Sequence, residues 1–233
     1  MLVNYIALLP EVVLILGMIL SLAVRGLRRG NTPRTFFTMA KWTIVVTMIL
    51  TAVFYNQNAG TYFSNNNYTT LFKVIICIFT LWWSSLSLKR FQSRNISSFA
   101  FYFLILFYLL CFSLAISARS LWVLAAALIP CQLLNYPLLK IDAEEQFYSR
   151  FRRYLLFAFL FSAALAAGVT ALQHYAGMVD YAGLEDFLNQ MPSPGWQIEV
   201  SFVLIMIFFL FALGVAPFHF WFAEVVSGAI LPV

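Results

Sequence analysis

Apolar residues come in seven long runs, near residues 3–24, 38–55, 69–88, 97–117, 120–139, 153–175 and 197–220, with short polar stretches between them. About 20 consecutive apolar residues carry a helix across the hydrocarbon core of a bilayer. Lipid offers no partners to backbone N–H and C=O groups, so each run must close its hydrogen bonds internally as a helix. The pattern predicts an all-α polytopic membrane protein of about seven transmembrane helices, with no soluble domain between spans and residues 1–233 forming a single membrane domain. The stretch after His174 is the only sizeable loop expected, and its "PSPGW" reads as a turn before the last helix.

The polar stretches differ in charge. Twelve of the fourteen Lys and Arg lie in "RGLRRGNTPR", "KRFQSRN" and "KIDAEEQFYSRFRR" or at the adjoining helix ends. Only Lys73 and Arg119 fall on the opposite side, where Asp180, Glu185, Asp186 and Glu199 gather. The positive-inside rule therefore places the basic loops in the cytoplasm or matrix and the amino terminus outside.

Composition excludes several function classes. The chain is 63% hydrophobic and 10% charged, with a mean hydropathy of +0.87, whereas soluble domains carry roughly 25% charged residues. A pI near 9.2 is explained by anchoring to anionic lipid headgroups and calls for no nucleic acid. Cys77, Cys111 and Cys131 lie singly in apolar runs and read as buried thiols. With two histidines and no cysteine set there is no metal-ligand spacing, and no G-x-G-x-x-G is present, so no cofactor is expected. The first run has neither the basic head of a secretory signal nor an arginine-rich presequence and reads as a retained helix.

Ionisable or strongly polar groups inside spans are functional candidates by default. Glu11 follows Pro10 in the first run and suits a proton relay, a pairing with a neighbouring subunit, or an interfacial carboxylate reaching water. The fifth run crowds Pro130, Gln132, Asn135 and Pro137; each proline frees a carbonyl one turn earlier, at Ala126 and Leu133. Gln132 orders water or packs, but an amide does not titrate near neutral pH. Arg150, Arg152 and Arg153 stand at the inner mouth of the sixth run, where arginine snorkels to headgroups and stays protonated. In the seventh run Pro217 frees the carbonyl of Leu213 and is expected to break the helix, with His219, a candidate ionisable ring, two residues on. No catalytic residue is expected.

Taken together, Pro217-Phe218-His219, Trp221, Glu224, Gly228-Ala229 and Pro232-Val233 resemble the P-F-H-x-W-x-x-D-x-Y-x-G-A-P-x-P-V signature of the antiporter-like membrane subunits of respiratory complex I. Glu224, Val226 and Ile230 depart from it. The opening "ALLPEVVLILGM" and the late Gly-Ala spacing are most like subunit 2, called subunit N in bacteria. The resemblance implies three leading helices over 1–95 and an incomplete first antiporter-like repeat over 96–233, its seventh helix broken with Pro217 and Gly228 as hinge points. The family fold has roughly fourteen helices including two inverted repeats. The resemblance thus implies a shortened or split subunit, whose missing carboxyl-terminal helices are either supplied by a separate chain or lost.

The family moves protons through buried lysines tuned by a glutamate. Counted from the matched prolines and Tyr154, its glutamate position is Gln132, and its two lysine positions are Arg153 and Ala212. The resemblance therefore implies a membrane-arm subunit of NADH:ubiquinone oxidoreductase with a structural role and its own proton path degenerate. An active proton-translocating half-subunit or a cation/proton antiporter is the alternative. It further implies other membrane-arm subunits and lipids as partners, and the mitochondrial inner membrane as location, with the bacterial plasma membrane as alternative.

Overall fold

The computed structural model of the chain describes residues 5–27, 33–55, 58–59, 62–94, 98–141, 148–190, 195–219 and 221. A short 3₁₀ turn (Tyr5–Leu8) leads into α1 (Leu9–Leu27), followed by α2 (Pro33–Val53), α3 (Asn67–Arg94), α4 (Phe99–Ser117), α5 (Leu121–Lys140), α6 (Tyr148–Ala176), α7 (Tyr181–Gln190) and α8 (Trp196–Ala212). Six of these, α1 to α6, contain stretches long and apolar enough to cross a membrane. The seventh expected span is the shorter apolar α8 of 17 residues, a rise of roughly 25 Å.

Local chemistry sets the helix starts. Pro33 opens α2, a position where its missing N–H costs nothing. At the head of α3, Asn66 and Thr69 cap one another reciprocally: Thr69 N donates to Asn66 Oδ1 at 2.9 Å and Asn66 N to Thr69 Oγ1 at 2.8 Å. Ser120 accepts from Trp122 N ahead of α5. Asp180 Oδ2 accepts from Gly183 N, 3.0 Å away, at the head of α7. Two features are additional to the sequence expectation. A small antiparallel hairpin pairs Asn58–Ala59 with Phe63–Ser64, and the stretch expected as a loop after His174 contains α7. That helix is short and mostly polar, with only Leu184 buried, so no long apolar run marks it.

The chain divides into two compact units, Met1–Ala118 and Arg119–Val233. In the first, α4 is the enclosed helix: eleven of its residues are buried, and α1, α2 and α3 pack around it. The outer faces of α1, α2 and α3 remain apolar and exposed, as at Leu16, Trp42 and Phe79, which suits helices bathed in lipid. In the second unit α6 packs against α5 and α8. Gly168 is what lets α6 and α8 approach: a Cβ there would lie 2.8 Å from the backbone oxygen of Ser201. The connection before α5 and the one before α7 join as a short antiparallel bridge, with Leu121 N donating to Val179 O and Tyr181 N to Arg119 O.

Candidate functional site

The first unit holds a buried polar network. Lys73 Nζ lies 2.7 Å from Glu11 Oε1, and the two side chains are 3% and 4% exposed. The same Glu11 oxygen accepts from Ser113 Oγ at 2.6 Å. Lys73 also donates to Asn65 Oδ1 at 3.0 Å; Ser117 Oγ donates to that oxygen at 3.1 Å, and Asn65 Nδ2 donates to the carbonyl of Ala7 at 2.9 Å. Glu11 sits in the first turn of α1, Lys73 two turns into α3, and Ser113 and Ser117 in the last two turns of α4. These are the ends that the charge pattern assigns to the outer side.

This corrects the sequence reading of Glu11. The carboxylate is neither an interfacial group reaching water nor, in this chain, one waiting for another subunit: its partner is Lys73. The signal was available in that Lys73 and Glu11 are lone opposite charges at matching depth, and Lys73 breaks the charge segregation of its side. A charge buried inside a span without a partner is costly, and the opposite charge in the same low-dielectric site offsets part of that cost.

In the second unit the three path positions are dispersed in character. Gln132 is buried and its Nε2 has no hydrogen-bond partner among the described residues. Arg153 is exposed in the second turn of α6, and Ala212 is half-buried at the last residue of α8. No hydrogen bond or ion pair links the three among the described residues. The residue that engages α5 is the neighbour of Arg153, Tyr154. Its hydroxyl donates to the backbone oxygen of Gln132 at 2.9 Å and accepts from Asn135 Nδ2 at 2.7 Å. Both bonds fall on the turn loosened by Pro137, whose ring removes the N–H that Leu133 O would otherwise accept. Despite Pro130 and Pro137, α5 runs unbroken over its 20 residues.

The break in the seventh span is real, but its cause differs from expectation. The helix ends at Ala212, before Pro217. Gly214 adopts φ +64°, a left-handed conformation that favours glycine. Gly214 N donates to Phe211 O and Val215 N to Leu210 O, each at 3.0 Å, which is the paired hydrogen bonding of a Schellman stop. Pro217 lies in the turn that follows, and His219 beyond it is exposed. The chain then folds back: Trp221 Nε1 donates to Phe211 O at 3.1 Å, its ring 5.1 Å from that of Tyr154, and Phe218 meets Phe161 edge-on at 5.2 Å. Gly228 and Glu224 lie outside the described residues. Among the described residues no group of His, Cys, Asp and Glu is placed to hold a metal ion.

Comparison with known proteins accords with this architecture. The family model described as "NADH:quinone oxidoreductase/Mrp antiporter, TM" matches residues 129–233. NADH-quinone oxidoreductase subunit N of Magnetococcus marinus is 24% identical over 97% of this chain and 48% of its own length. The NADH-ubiquinone oxidoreductase chain 2 of Rhizopus oryzae is 34% identical over 76 residues, covering 33% of this chain and 14% of its own. A chain of respiratory complex I from Thermus thermophilus shares the fold with a TM-score of 0.77 at 19% identity, over 94% of this chain and 47% of that one. The chain spans about half the length of the curated relatives it matches across its whole sequence. Across its whole sequence the chain is thus similar to about half of the NADH-quinone oxidoreductase subunit N, and residues 129–233 carry the match to the antiporter family model.

Proposed function

We propose that the chain works as a membrane-arm subunit of an NADH:quinone oxidoreductase, among the other membrane subunits of complex I, and that its second unit holds the arm together without moving protons. The observation that carries this reading is the chemistry at positions 132, 153 and 212. Gln132 is an amide that does not ionise, Arg153 keeps its proton, and Ala212 offers only a methyl group. Tyr154 and Asn135 instead occupy the α5–α6 contact with a fixed hydrogen-bonded pair. The second half of the longer relatives is expected in the same assembly, in this polypeptide or another. The membrane is an energy-coupling one, the mitochondrial inner membrane or a bacterial plasma membrane.

Two measurements test this. Tagged chain solubilised in mild detergent should co-migrate with NADH:quinone reductase activity; migration free of that activity would refute the assignment. In vesicles of the assembled complex, Gln132→Leu and Ala212→Leu should leave the proton-to-electron ratio unchanged, and a lower ratio would show that the second unit pumps. One observation favours the active reading, the buried Glu11–Lys73 pair of the first unit. A lower ratio in assembled Lys73→Met complex, with Gln132→Leu unaffected, would support that second reading.

A further inference from the structure

Next to the Glu11–Lys73 pair is a cavity of about 10 Å³, lined in part by Lys73 and Cys77 of α3, Thr47 and Thr51 of α2, and Ser113 of α4. That is about the volume one water molecule needs. The hydrogen bonds around it are unevenly committed. Thr47 Oγ1 donates to Thr43 O and Thr51 Oγ1 to Thr47 O, each at 2.8 Å, and Ser113 Oγ donates to Glu11. Each hydroxyl has one proton, so all three retain only acceptor lone pairs. Lys73 has three N–H donors, of which Glu11 and Asn65 take two. The surroundings therefore offer one donor in excess and several acceptors in excess.

We infer that this cavity is a binding site for a single water molecule that accepts from Lys73 Nζ and donates to two of the three hydroxyl acceptors that line it, Thr47, Thr51 and Ser113. A water is the small ligand with that complement of one acceptor and two donors. A metal cation is disfavoured beside an ammonium group, and an anion would need more donors than Lys73 supplies. The water joins α2 to the network, which among the described residues otherwise links α1 and the 3₁₀ turn before it, α4, and α3 with the segment before it. The site thereby ties together all four helices of the first unit. This inference does not depend on the function proposed above.

The test is a density map of the chain in nanodiscs, with the subunits that co-purify with it, at a resolution where other buried waters are visible. A peak should stand about 2.7–3.2 Å from Lys73 Nζ and from two of the named acceptor oxygens. No peak there, in a map that resolves waters elsewhere, would overturn the inference. In the paired variant Thr47→Val, Thr51→Val, occupancy should fall at least two-fold relative to wild type while the Glu11–Lys73 contact persists. Unchanged occupancy would mean that α2 takes no part in the site. If that variant does not accumulate, Ser113→Ala in the same map gives the equivalent reading from α4.

Discussion

Lys73 Nζ and Glu11 Oε1 are 2.7 Å apart although 62 residues separate them in the chain, and both side chains are buried. A buried pair of this kind is costly to break and far less costly to replace. Removing one partner strands a charge, at about 3–5 kcal/mol, whereas an uncharged pair of similar volume is close to neutral. Glu11→Gln and Lys73→Met should therefore each reduce the yield of folded, detergent-stable protein, and the double variant should recover most of it. Losses in the double variant equal to the sum of the two singles would show that the residues do not act as a pair.

The α6–α8 contact rests on a missing side chain. At Gly168 a Cβ would meet Ser201 O at 2.8 Å, Ile205 Cγ1 at 3.0 Å and Leu204 Cβ at 3.1 Å. The nearest of these is backbone and cannot rotate away. Gly168→Ala should lower stability by about 1–3 kcal/mol, as overpacking does. Gly26→Ala is the control, since nothing lies within 4 Å of a Cβ there. Thermal unfolding in nanodiscs should separate the two, and equal melting temperatures would contradict the packing described.

Sequence reasoning singled out Arg153; the structure shifts the weight to Tyr154. Tyr154→Phe removes a donor to Gln132 O and an acceptor for Asn135 while keeping the ring. Leaving buried polar groups unpaired costs about 1–3 kcal/mol. Arg153→Gln, at an exposed position, should change stability by no more than about 0.5 kcal/mol. A larger loss in Arg153→Gln than in Tyr154→Phe would reverse that assignment.

Orientation is tested by labelling. All three native cysteines are buried, so background reaction with a membrane-impermeant maleimide should be low. A cysteine at exposed Tyr62 should react from the outer side, and one at exposed Gly26 from the cytoplasmic or matrix side. The opposite pattern would overturn the topology drawn from the basic loops.

The sequence alone determined the number of apolar helices, the segregation of the basic loops to alternate connections and the family resemblance of the chain. Hydropathy, charge segregation and the P-F-H-x-W spacing are properties of residues taken in order, and lipid leaves an apolar run no alternative to a helix. The break near Pro217 was legible as well, but its cause was misplaced. The stop belongs to Gly214, because a left-handed residue closes the helix three positions before the proline can disturb it.

Pairing across helices was decided only by the tertiary structure. Glu11 had three readings while its surroundings were unknown, and the packing of α1, α3 and α4 gave it buried partners, Lys73 and Ser113, that none of the three had named. Tyr154 carried no polar signal of its own in an aromatic-rich run, and its role exists only because α6 brings its hydroxyl to the turn that Pro137 weakens. The short helix α7 combines its cap at Asp180 and its bridge to the Arg119 segment with an apolar face of Leu184, Phe187 and Leu188, too short to stand out as a span. In each case the partners are brought together by the packing of helices that are distant in the chain, which the order of residues does not display.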